Sequence, residues 1–297
     1  MKSAQPGGST RVRGRRPGIP TWRGAASPWR VTLVLWLLAA ALFAVFVWLA
    51  AASGPGSPLS AWDGRVNDAF MVWRTPGRSR LFWAATLIGN NQVLAALSFS
   101  AVVLFVAWGR RGRAALVAVG LLVGWGISEA AKAVLGRTRP PAAEALIALP
   151  GSHSMPSGHA LTTLVFLSML VYAGFRWSGP RGPVPTGGGR SGLPWGAVLA
   201  ATVVAGLIGV SRVYLGVHWL SVVLGGWCLA GAWLIAFLMI VRWWAGADGS
   251  SMRVPRFLAD RAPARRAGRR AAVVFVLLLC VAAAIVSAMG DPLLAHL

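Results

Sequence analysis

Seven stretches of this chain are about twenty residues long or longer, strongly apolar and poor in charge, and they limit its fold more than any other feature. A run of that length crosses a bilayer as a helix, because lipid offers no partner to a backbone N–H or C=O and a helix satisfies its own. The runs are 31–52, 81–108, 114–135, 158–175, 195–215, 219–241 and 271–289. They predict an all-α integral membrane protein, and a chain of 297 residues that is 56% hydrophobic and 12% charged agrees. The first run is too long for the apolar region of a signal peptide, so we read it as an uncleaved span.

The gaps between runs carry the charge. The net charge of +22 would suit nucleic acid, but the 29 basic residues are scattered over the inter-span segments rather than gathered on a soluble domain. That distribution argues against a nucleic-acid partner and for a topology signal. With the N-terminus inside, segments 1–30, 109–113, 176–194 and 242–270 hold 21 of the 29 basic residues, so these segments are read as cytoplasmic. An odd number of spans then places the C-terminus outside. Trp29, Trp108, Trp177, Trp195, Trp219, Trp243 and Trp244 fall near the span ends, where an aromatic belt is expected.

The domain reading follows. Residues 1–30 form a disordered basic cytoplasmic tail, 31–241 a six-span membrane domain, 242–270 a basic cytoplasmic linker, and 271–297 a seventh span with a short extracytoplasmic tail. Within the domain, 59–80 is amphipathic: Trp62, Val66, Phe70 and Trp73 recur opposite Asp63, Arg65, Asp68 and Arg74. Such a piece either lies along the membrane surface or is an ordinary amphipathic linker, and we favour the linker. Cys228 and Cys280 both fall inside apolar runs and imply no disulfide.

Three polar motifs land on the extracytoplasmic ends of the third to sixth spans. They are Lys132-x6-Arg139-Pro140, Pro156-Ser157-Gly158-His159 and Ser211-Arg212-x5-His218. Ionisable groups at a membrane boundary are costly to place, so their convergence reads as functional. Pro-Ser-Gly-His sits where the fourth span begins, so a helix N-terminus adds free N–H groups and a positive dipole end to three cations and two histidines. Lys132 also has Glu129 one turn earlier as a simple ion-pair partner. No Asp/Glu or Cys cluster suited to a metal lies beside the motifs, so neither a metal nor another cofactor is expected.

In type and order these motifs resemble the signature of the type 2 phosphatidic acid phosphatase family, which is related to the vanadium haloperoxidases. The resemblance covers roughly residues 60–241. It implies a six-helix phosphatase bundle, here with one additional C-terminal transmembrane helix. It also implies metal-independent hydrolysis of a lipid phosphate or pyrophosphate, such as undecaprenyl pyrophosphate or phosphatidic acid, at the outer face of the cell membrane. By that resemblance Lys132, Arg139, Ser157, Gly158 and Arg212 would hold the phosphate. His218 would attack phosphorus to give a phosphohistidine, and His159 would protonate the leaving group.

One position departs from the pattern. The family has Asp four residues after the nucleophilic His, where it orients the imidazole; here residue 222 is Val. In a serine-protease triad, replacing the comparable Asp by Asn costs about 10⁴ in rate. Ser221, a backbone carbonyl or a water would have to substitute. The departure keeps two alternatives in view: a phosphotransferase passing the phosphoryl group to an acceptor other than water, and an impaired relative that binds lipid phosphates.

Overall fold

The computed structural model describes residues 28–175 and 195–244, with five helical positions between 268 and 277. The basic tail, the 176–194 and 242–270 linkers and the seventh span therefore lie wholly or mostly outside the described residues. Among the described residues all regular structure is helical. In chain order the helices are α1 (Pro28–Ala51), α2 (Pro58–Val72), α3 (Pro76–Ile88), α4 (Asn91–Ala107), α5 (Arg111–Leu135), α6 (Gly158–Phe175), α7 (Trp195–Tyr214) and α8 (Leu220–Trp244). One 3₁₀ turn, Ala142–Glu144, interrupts the loop between α5 and α6.

Four of these, α1, α5, α7 and α8, are long and apolar enough to cross a membrane, which makes this a multi-pass membrane protein. The second run is not one straight span: α3 and α4 meet at a bend of 43°. The local sequence encodes that break. Gly89 ends α3, and the Asn90 side chain caps α4 by accepting from the Gln92 N–H at 2.9 Å. The shorter α6 is the central helix, packed against α4, α5, α7 and α8, while α1 lies along α8. Lipid-like surroundings give little hydrophobic drive to such packing, so close fit and interhelical bonds carry it. The Trp233 indole N–H, for example, donates from α8 to the Gly120 carbonyl of α5 at 2.9 Å.

Within 59–80, α2 departs from the amphipathic pattern at Trp62 and Asp63. Its apolar residue Trp62 is exposed, whereas Asp63 and Asn67 are buried at 1% and 3% exposure. Arg65 and Asp68 remain exposed, but Asp63 and Asn67 turn inward because their partners lie on the loop and the helix ends above the bundle. Asn67 donates to Glu144 Oε2 at 2.7 Å, and Asp63 meets Arg137 and Ser221. A second clamp follows α2, where the Arg74 guanidinium donates to the carbonyls of Glu144 and Tyr214. The polar end of the bundle is thus a bonded layer, made of α2, the 136–157 loop and the α7–α8 turn.

Candidate active site

Each motif is delivered by the end of a helix. Gly136 closes α5 in the left-handed conformation (φ 58°), its N–H returning to the Lys132 carbonyl. That turn, which suits a residue without a Cβ, sends Arg137 and Arg139 back across the bundle end. α6 begins at Gly158, as the sequence predicts, and helix geometry leaves the N–H groups of its first turn without intrahelical partners. Arg212 lies in the last turn of α7, and His218 in the turn before α8.

The predicted residues come together. Arg139 Nη1 lies 3.1 Å from His218 Nε2 and also donates to the Val217 carbonyl, while its other nitrogens reach Ser152 and the His153 carbonyl. Lys132 Nζ pairs with Glu129 at 2.7 Å and stands over Gly158, where a Cβ would approach it to 3.2 Å. Lys132 therefore makes the simple ion pair and also faces the start of α6. Arg212 is buried, and its Nη1 donates to Thr86 Oγ1 on α3 at 2.6 Å. The Ser157 hydroxyl is fully buried and has no hydrogen-bond partner, an unusual state for a polar atom. His159 lies against the α3–α4 break: a Cβ on Gly89 would collide with Ile208 and meet the imidazole at 3.3 Å.

Burial and the nearby cations set the protonation of His218. Burial first, and then the positive charges of Arg212 and Arg139, hold its pKa well below the ordinary imidazole value of 6.5. It is therefore neutral at neutral pH, with a lone pair to offer. Burial also lowers the pKa of Arg139, although a guanidinium remains a cation.

Ser221 does not orient His218. Its hydroxyl donates to Asp63 Oδ2 and accepts from Arg137 Nη1, and its N–H donates to Asp63 Oδ1 at 2.9 Å. The side chain is drawn away because Asp63 brings a carboxylate to the N-terminus of α8, where the helix dipole favours it. His218 Nδ1 is met instead by Ser154 Oγ at 3.2 Å. Sequence reasoning assigned no role to Ser154, Thr86 or Asp63. Ser154 stands two residues before the Pro-Ser-Gly-His motif and was open to notice; the other two lie on α2 and α3, far from any motif.

Residues 113–245 match the family model described as "PAP2 superfamily". This part of the chain is similar to the PAP2 superfamily. The match takes in α6, α7, α8 and nearly all of α5, and so every predicted site residue, but leaves Asp63, Thr86 and Gly89 outside. The fold is similar to that of a solved structure, the "first transmembrane PAP2 type phosphatidylglycerolphosphate phosphatase from Bacillus subtilis", with a TM-score of 0.54. That comparison covers 74% of this chain and 98% of the other at 23% identity, and it establishes the helical PAP2 fold. No curated protein matches the chain.

Proposed function

We propose that this PAP2 protein hydrolyses a phosphate or pyrophosphate monoester carried on a membrane lipid, through a phosphohistidine on His218 at the extracytoplasmic face. The observation that carries the reading is the buried, neutral His218 with Arg139 at its Nε2, in range of the charges of Arg212 and Lys132. A phosphoryl group in transfer spreads negative charge over three equatorial oxygens, so fixed donors around it supply most of the catalysis. Arg139 and Arg212 offer forked donors, Lys132 a point charge, and Ser157 and the first amides of α6 the remaining contacts.

In the first step the phosphate draws Arg139 from Nε2 onto an equatorial oxygen. The Nε2 lone pair attacks phosphorus in line, the ester P–O bond breaks, and His159 gives its proton to the departing alkoxide. In the second step His159 takes a proton from water, whose oxygen attacks phosphorus, and the N–P bond breaks to release phosphate and restore His218. No metal takes part.

The lipid class draws support from an apolar cavity of about 380 Å³ between α4, α5 and α6. Leu94, Phe99, Leu121, Trp125 and Phe166 line it, and it is bounded by Asn91, next to the helix break, and Thr162, three residues after His159. A hydrocarbon chain lodged there would leave its headgroup close to the site. The test is phosphate release by purified protein from undecaprenyl pyrophosphate, phosphatidic acid and phosphatidylglycerol phosphate, with chelator present. Release from at least one is expected. Activity that chelator abolishes and added metal restores would overturn the reading, and silence on all three would favour the impaired relative that Val222 suggests.

A further inference from the structure

We propose that Ser154 is the positioning residue for His218, and that the Asp63–Arg137 pair holds Ser154 in place. The inference rests on the phosphohistidine reading and adds to it the group that aims the nucleophile. A guanidinium can only donate, so Arg139 Nη1 at 3.1 Å requires the lone pair to be on Nε2. The ring proton then resides on Nδ1, and Ser154 Oγ at 3.2 Å accepts it. Ser154 is fully buried and His218 is 3% exposed, so water does not compete freely for this contact.

Other nearby groups are committed elsewhere. Residue 222, one turn beyond His218, is a valine whose carbonyl accepts from the Ser157 N–H. The Val217 carbonyl accepts from Arg139, and the Ser221 hydroxyl donates to Asp63. Ser154 itself is anchored through its backbone, whose N–H donates to the Arg137 carbonyl at 2.8 Å. The Arg137 side chain is in turn gripped by Asp63 Oδ2 at 2.6 Å and by Ser221 Oγ at 2.8 Å. A carboxylate therefore still supports the imidazole, but at two removes and from α2. Once phosphate has drawn Arg139 away, Ser154 is the contact that keeps Nε2 facing phosphorus. The Nδ1 proton stays on the ring through attack, and the positive charge developing there is met by the hydroxyl oxygen.

The test uses the full-length protein in detergent and whichever lipid phosphate it turns over. Ser154→Ala should lower kcat about tenfold, the scale of one neutral hydrogen bond, with KM and vanadate inhibition changed less than about twofold. Ser154→Thr, which keeps the hydroxyl, should recover most of the rate. Native kcat in Ser154→Ala would overturn the proposal, as would parallel losses in kcat, KM and vanadate inhibition, which mark a merely structural role. Nitrogen-15 NMR of labelled histidines gives a readout independent of turnover, with the His218 signal identified by its loss in His218→Gln. The native resonance should carry its proton on Nδ1, and in Ser154→Ala that proton should exchange faster with water. A native His218 protonated on Nε2 would refute the positioning contact whatever the activity. If the native protein releases no phosphate, the phosphatase reading falls, and the resonance alone decides the contact.

Discussion

At the scale of single residues the site works by burial. Arg139, Arg212 and Lys132 lie near a buried imidazole, so protonating His218 would add a positive charge beside theirs where water screens poorly. With its folded pKa pushed below 6.5, His218, the proposed nucleophile, remains neutral as pH falls through the range in which free imidazole titrates. The acid limb of kcat/KM is accordingly expected below pH 6.5; a limb at or above that value would contradict the charge arrangement. Val222 belongs to the same scale. It is fully buried in a cluster with Phe46, Leu49 and Met155. Val222→Asp would bury a carboxylate among apolar groups, and its expected result is a lower melting temperature with little gain in rate, because Nδ1 already has an acceptor. A gain in rate of tenfold or more at unchanged melting temperature would show that Ser154 leaves His218 poorly oriented.

At the scale of elements, the helix ends carry the candidate site residues and the broken span packs against them. The last turn of α3 supplies Thr86 to Arg212, the break brings Gly89 against His159, and the first turn of α4 opens onto the apolar cavity. Filling that cavity separates chain binding from chemistry. Ala95→Phe is expected to raise KM several-fold for a long-chain lipid phosphate and to leave a short-chain soluble phosphate ester unaffected; equal effects on both would remove the cavity from substrate binding. This scale also shows what could be read from the sequence. Lys132, Arg139, Ser157, His159, Arg212 and His218 were legible because each lies in a short motif at a span end, where hydropathy alone brings the motifs to one face. Asp63 was not, because its partners Arg137 and Ser221 lie 74 and 158 residues away and only packing joins them. Amphipathic periodicity located the α2 helix and the packing of Val66 and Phe70, but not the burial of Asp63, since a carboxylate on a polar stripe reads as solvent-facing until a buried cation appears opposite it.

At the scale of the whole molecule, among the described residues, one end of the bundle is a polar bonded layer over a body of mainly apolar helices. α2, the 136–157 loop and the α7–α8 turn all meet at that end. We propose from the charge distribution that this end faces outside the cell, on the side opposite the basic segments. Single-cysteine labelling of intact cells, in a background lacking Cys228 and Cys280, should modify a cysteine at Leu146 and spare one at Pro185. The reverse pattern would place the site in the cytoplasm. The central claim, however, is that His218 makes the bond to phosphorus. It is tested most directly by phosphate release from the preferred lipid phosphate in chelator, with native protein and His218→Ala measured side by side. The account predicts release by the native protein and none above background by the variant. Release that survives His218→Ala would contradict it.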